Sequence, residues 1–316
     1  MVSTSQRAAD APPSVIDPWL LFVALDDPRG PGRRLGGVLP PVAASVADPP
    51  DDVRSNQPRA PVGSRPDAIG GTVAGRSIPD GLRDPYDGEL RIAVRTDRPT
   101  VVANFVSTLN GVVAFDTDES SGGGEVSGSF DPDRFVMGLL RAMADVVFVG
   151  AGTVRSAPTH EWTARRAHPA SAALYAEWRG RIGVPSPQPT TIVATASGGL
   201  DPSHPGLSAP DVPVIVATTK AGATRLGSAG LASNVRVETA GVGDRVAIPR
   251  LLEIAGSIGA RLALCEGGPH LIGDLVDAGL LDALFLTMAP QIAGRDDRTP
   301  RLGLVQGTTF TVAGAP

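Results

Sequence analysis

The chain has 316 residues, of which 38 are Gly, 30 are Pro and only a few are aromatic (Phe 8, Trp 3, Tyr 2). Its net charge of −5 argues against a dedicated nucleic-acid binder, and its single cysteine, Cys265, excludes a disulfide framework or a multi-cysteine zinc site. No apolar run reaches the ~18 residues of a membrane span, so a cytoplasmic protein with neither membrane nor nucleic-acid partner is expected.

Residues 26–85 hold 20 Gly and Pro in 60 positions and no aromatic residue. Their apolar residues follow neither the helical nor the strand period. Such a stretch buries too little apolar surface to offset the entropy of ordering it. Residues 1–85 therefore read as a disordered Pro/Gly-rich extension, with one weak element at 19–25. That element is too short for a signal peptide and lacks a basic region before it.

From Arg98 the texture changes. Pro99–Val106 is a β-branched run suited to a buried strand. Ser120–Ser129 reads as a flexible loop. Asp131-Pro132 opens a helix, with Asp131 as N-cap and Pro132 in the first turn. Phe135, Leu139 and Met143 then recur on one face. Arg134, Arg141 and Asp145 fall on the polar side, which reads as a solvated face. Further strands are expected at 146–149, 190–195, 212–217, 234–238, 261–265 and 282–288. Helices are expected at 169–180, 221–232, 247–258 and 269–278. Strands alternating with helices predict an α/β domain over 86–316, built on a mostly parallel sheet.

Ligands of such sheets bind beyond the carboxyl ends of the strands. Two strand ends carry unusual chemistry. The first is Gly150-Ala151-Gly152-Thr153-Val154-Arg155, where glycines allow a backbone to approach a diphosphate and Thr153 adds a hydroxyl. The dinucleotide fingerprint's third glycine is absent, so a plain tight turn is the competing reading. The second is Glu266-Gly267-Gly268-Pro269-His270-Leu271. Here the amides of a helix start can hold an anion, and Glu266 can contact a ligand or move a proton. His160, His168, His204 and His270 show no metal-ligand spacing and read as surface or loop residues, so no metal is expected. Cys265 reads as an inert buried residue.

Four blocks together resemble the RibD C-terminal family, the reductase domain of riboflavin-synthesis deaminase/reductases and a relative of dihydrofolate reductase. They are Ser107-Thr108-Leu109-Asn110-Gly111, Leu140-Arg141-Ala142 with Asp145, Gly150–Arg155, and Glu266–Leu271. The resemblance spans about residues 78–306. It implies a dihydrofolate-reductase-like fold, NADPH as hydride donor, a small-molecule substrate and a homodimer. The implied reaction reduces the ribosyl group of 5-amino-6-(5-phosphoribosylamino)uracil to ribityl. By the same resemblance Thr153, Gly267, Gly268, His270 and Leu271 bind the cofactor; the bare backbone of Gly150 and Gly152 joins them, and Arg155, by its position, is expected on the 2′-phosphate. Ser107, Asn110, Arg141 and Glu266 surround the substrate, and Glu266 and Asn110 are the expected catalytic residues.

Four departures qualify the resemblance. Asn110 stands where the family usually has Asp. No Asp-Asp-Pro follows Arg155, which leaves reduction of dihydrofolate, another pterin or another small heterocycle as an alternative. The loss of charge at Asn110 motivates a further one, a non-catalytic NADPH-binding relative. The segment 159–189, with Trp162, Tyr175 and Trp178, is expected to roof the pocket. Of the family's last strands only 308–312 remains as a candidate, which predicts an unprotected sheet edge.

Overall fold

The computed structural model describes residues 19–24, 36–38, 75–77, 90–115, 123–184, 186–242, 244–299 and 301–311. Most of the 1–85 extension lies outside the described residues.

The seven expected strands all form, and they build one sheet. Its order is Val235–Thr239, Val214–Thr218, Thr190–Thr195, Val146–Gly150, Leu262–Cys265, Thr100–Thr108, Ala283–Ala289, then Trp19–Ala24 and Gly36–Val38. The first seven run parallel to one another, and the last two add antiparallel. Successive residues bury opposite faces: Val101 and Ala103 enter one apolar cluster, Val102 the other. Val146 and Phe148 likewise oppose Val147 and Val149. Both faces are covered, which is why these strands read as unbroken apolar runs.

One face carries the Asp131–Met143 helix, whose Phe135, Leu139, Leu140 and Met143 are buried. Each such side chain contributes about 1.5–3 kcal/mol on burial. Helices Ile248–Ser257 and Pro269–Asp277 cover the other face through Leu251, Leu252, Leu271, Ile272 and Leu275. Pro249 and Pro269 sit in the first turns of these helices, where no backbone N–H is lost.

Several expectations need correction. Phe130, not Asp131, is the N-cap, and Asp131 is the first helical residue. Gly123–Val126 is a short helix inside the stretch read as a loop. The helix expected at 221–232 covers only Lys220–Leu226, in keeping with the helix-breaking Gly227 and Gly230 that follow. Residues 308–311 form no strand. The edge beyond Ala283–Ala289 is instead paired by Trp19–Ala24, over six residues from Trp19↔Met288 to Ala24↔Ala283.

The polar side of the first helix is also not solvated. Arg141 is 1% exposed. Asp145 accepts the N–H groups of Arg261 (2.8 Å) and Leu262 (2.9 Å) and pairs with Arg76 (2.8 Å). Its side chain is 7% exposed. Arg179 donates to the carbonyls of Ala142 (3.0 Å) and Ala144 (2.6 Å), neutralising the negative end of the helix. Alternation gives only one face of a helix; here the second face meets a second layer. Asp145→Ala is expected to lower stability by about 3 kcal/mol, because it orphans two strand N–H groups and a guanidinium. Urea denaturation of the two proteins checks this.

Candidate active site

The two glycine turns meet. The Gly150 N–H donates to the Gly267 carbonyl at 2.7 Å, and the Glu266 N–H to the Phe148 carbonyl at 3.0 Å. Their strands are parallel neighbours, so both chains leave the sheet side by side. The contact requires glycine. A Cβ on Gly150 would lie 3.3 Å from the Gly268 nitrogen, and one on Gly267 would lie 2.8 Å from Thr153 Oγ1. Gly267 also takes φ +133°, which L side chains rarely adopt. After Gly150 the chain enters the Ala151–Ser156 helix, and after Gly268 the Pro269–Asp277 helix. A Cβ on Gly152 would meet nothing within 4 Å.

These turns border a cavity of about 1120 Å³. Gly150, Gly152, Thr153, Arg155, Arg141, Glu266, Gly267, Gly268, His270 and Leu271 all line it. Ten of the twelve residues singled out from sequence therefore share one site. The other two do not line it. The Ser107 hydroxyl is buried and donates to the Thr108 carbonyl. Asn110 fastens a loop: its Nδ2 donates to the Ala293 carbonyl (2.6 Å), and its Oδ1 accepts from the Ala293 N–H (3.1 Å). That exchange needs an amide, which both donates and accepts. The expected roof is also smaller. Trp162 lines the cavity, whereas Tyr175 and Trp178 are buried in the core beneath the Asp131–Met143 helix. There the Tyr175 hydroxyl donates to the Phe135 carbonyl at 2.8 Å.

Arg141 and Glu266 form a buried ion pair, with side chains 1% and 5% exposed. Arg141 Nε reaches Glu266 Oε1 at 2.8 Å and Nη2 reaches Oε2 at 2.6 Å. Arg141 also donates to the Thr163 carbonyl (3.1 Å) and lies 2.9 Å from His160 Nε2. Both carboxylate oxygens of Glu266 are thus occupied. It orders the cavity wall.

His160 is not a surface residue. Burial, then the charges of Arg141, Arg166, His204 and Arg134, push its pKa down to about 3, so its ring is neutral. His204 is buried as well. Cys265 is fully buried, with its thiol pushed up to about 12 by desolvation.

The sequence pattern of the RibD C-terminal domain matches residues 99–312. The chain belongs to that family. It is 30% identical over 203 residues to the 2,5-diamino-6-ribosylamino-4(3H)-pyrimidinone 5′-phosphate reductase of Methanothermobacter thermautotrophicus, covering 64% of this chain and 83% of the relative. Among solved structures it resembles a pyrimidine reductase-like protein from Corynebacterium diphtheriae, with TM-score 0.51 and 20% identity over 67% of this chain and 83% of that one. It also resembles RibD of Acinetobacter baumannii, with TM-score 0.50 and 19% identity over 69% of this chain and 52% of that one. The two structures establish the fold. Membership in the RibD C-terminal family makes the chain an oxidoreductase of riboflavin biosynthesis that uses a nicotinamide cofactor.

The sequence blocks do not include Asp133, which also lines the cavity. It follows the Asp131-Pro132 helix start by one residue. Reading that start only as a helix signal hid it.

Gly267→Ala is expected to weaken nicotinamide-dinucleotide binding at least about tenfold, equivalent to ~1.4 kcal/mol, while the far-ultraviolet circular dichroism stays unchanged. Equilibrium titration of cofactor fluorescence measures the loss.

Proposed function

We propose that this chain uses NADPH to reduce the ribosyl group of a ribosylaminopyrimidine 5′-phosphate to ribityl. The observation that carries the reading is the single cavity joining both glycine turns to the Arg141–Glu266 wall. The residues fit a dinucleotide. Gly150 and Gly152 leave the backbone bare, Thr153 supplies a hydroxyl, and the start of the Pro269–Asp277 helix lines the cavity beside them. When bound, NADPH supplies the hydride; the protein orients it and controls the proton.

Arginines that line the cavity suit the phosphate groups. Arg155 is exposed and makes no ion pair among the described residues, which suits a 2′-phosphate. Arg134 and Arg166 lie close together: Arg134 Nε donates to the carbonyl of Ala167, the residue after Arg166. Both line the cavity, and neither has a carboxylate partner among the described residues. A 5′-phosphate monoester provides the acceptors they lack. Unconjugated pterins carry no anionic group, which favours the phosphoribosyl substrate over them. The non-catalytic alternative rested on Asn110 and on the missing last strands of the family's sheet; Asn110 fastens a loop away from the cavity lining, and the edge beyond Ala283–Ala289 is paired by Trp19–Ala24. The same reading includes a cytoplasmic homodimer, with sedimentation equilibrium as its check.

The experiment is loss of NADPH absorbance with three substrates: the uracil form, the 2,5-diamino form and dihydrofolate. Turnover of either ribosylaminopyrimidine phosphate, and of neither its dephosphorylated form nor dihydrofolate, is the expected result. Turnover of dihydrofolate alone would defeat the proposal. Arg155→Ala is expected to raise KM for NADPH about tenfold, the loss of one charge-assisted contact of ~1.4 kcal/mol, and to leave KM for NADH unchanged.

A further inference from the structure

Reduction of a ribosylamine needs a proton as well as a hydride, and several titratable residues of the site are not free to give it. Glu266 is clasped by Arg141 through both oxygens. His160 is neutral, and the ring nitrogen that faces the site's charges lies against the Arg141 guanidinium. Cys265 is sealed in the sheet. Asp274 is held by Arg245, and Asp244 is exposed to solvent.

Asp133 differs from all of these. It lies in the first turn of the Asp131–Met143 helix and lines the cavity. The residue is half-buried. Thr287, on the Ala283–Ala289 strand, donates to its Oδ1 at 2.6 Å, and the Ser127 hydroxyl approaches from the Gly123–Val126 turn. The charge that faces it is Glu266, which is of the same sign. Arg134, its neighbour on the helix, turns its Nε to the Ala167 carbonyl. Asp133 makes no ion pair among the described residues. Desolvation, and secondarily the Glu266 charge, hold its carboxyl well above the usual carboxylate range; the two hydroxyls oppose that only in part.

We propose that Asp133 is the catalytic acid of this cavity, the residue that gives the substrate its proton as the ribosyl group is reduced. The inference rests on the ribosylaminopyrimidine reading above. In the net step, hydride from the dihydronicotinamide forms the new C1′–H bond. The C1′–O4′ bond breaks, its electron pair leaves on O4′, and O4′ takes the proton from Asp133. The C1′–N bond is kept. The substrate gains two electrons, the dihydronicotinamide loses two, and the Asp133 carboxylate recovers a proton from water. Two carboxyl groups of the cavity thus divide the work: Glu266 stays paired with Arg141, and Asp133 stays neutral and donates.

The sign of the pH dependence follows. The protonated form is the active one, so kcat is level at low pH and falls as pH rises through the Asp133 pKa. Asp133→Asn is expected to lower kcat at least about 100-fold, to abolish that alkaline limb and to leave NADPH affinity unchanged. Thr287→Val removes a hydroxyl that favours the charged form, so its alkaline limb moves to higher pH. Carbon-13 NMR titration of the aspartate carboxyls in the ligand-free protein provides a readout apart from turnover. One resonance is expected to titrate above the ordinary carboxylate range and to vanish in Asp133→Asn. An Asp133→Asn protein that keeps both kcat and the alkaline limb would overturn the proposal. So would an Asp133 carboxyl that ionises in the ordinary range. Wild-type protein that leaves both ribosylaminopyrimidine phosphates unreduced, with that resonance still raised, would instead defeat the function reading and the assigned proton acceptor with it.

Discussion

The site depends on two charges that the fold has removed from water. Arg141 comes from the Asp131–Met143 helix and Glu266 from the tip of a central strand; each side chain is almost completely buried. Their desolvation costs several kcal/mol per ion. The cost is offset because each is satisfied at several atoms: both Glu266 oxygens accept from Arg141, which also donates to the Thr163 carbonyl and contacts His160. One guanidinium thereby fixes the helix, the strand tip and the 159–167 segment relative to one another. All three line the cavity.

The wall has an electrostatic consequence. Glu266 is held against the cavity by Arg141. A second carboxyl facing that space, without a cation of its own, is better left neutral. Asp133 is in that position, and its neighbours are hydroxyl groups. Beside this polar wall, the glycine turns provide a surface of bare backbone. Gly150 and Gly267 touch through a hydrogen bond that no Cβ at Gly267 could accommodate without displacing Thr153. One part of the cavity is built for a diphosphate and another for proton transfer.

Much of this was legible in the residues. Apolar runs marked six of the seven parallel strands, because strands buried on both faces tolerate little else; the edge strand Val235–Thr239 alternates with Arg236 and Glu238. Gly150 and Gly267 announced the turns because the close approach leaves no room for a side chain. What failed were inferences that needed the third dimension. Arg141 and Asp145 sit on the polar side of an amphipathic helix, and periodicity cannot tell solvent from a second packed layer. Asn110 looked like a weakened catalytic residue but makes a two-way amide bridge to Ala293. The strand Trp19–Ala24 pairs beside Ala283–Ala289 across more than 250 residues of sequence, a contact with no local signature. Asp133 was hidden because an acidic residue in a helix's first turn has an ordinary explanation in the helix dipole.

The most direct test of the account is a crystal structure of the protein with NADP⁺ and an unreduced ribosylaminopyrimidine 5′-phosphate. The account predicts the diphosphate against the amides of Gly152, Thr153 and Gly268, and the Asp133 carboxyl within hydrogen-bond distance of the ribosyl ring oxygen. A dinucleotide bound elsewhere, or a ribosyl group whose ring oxygen faces Glu266 and not Asp133, would contradict it.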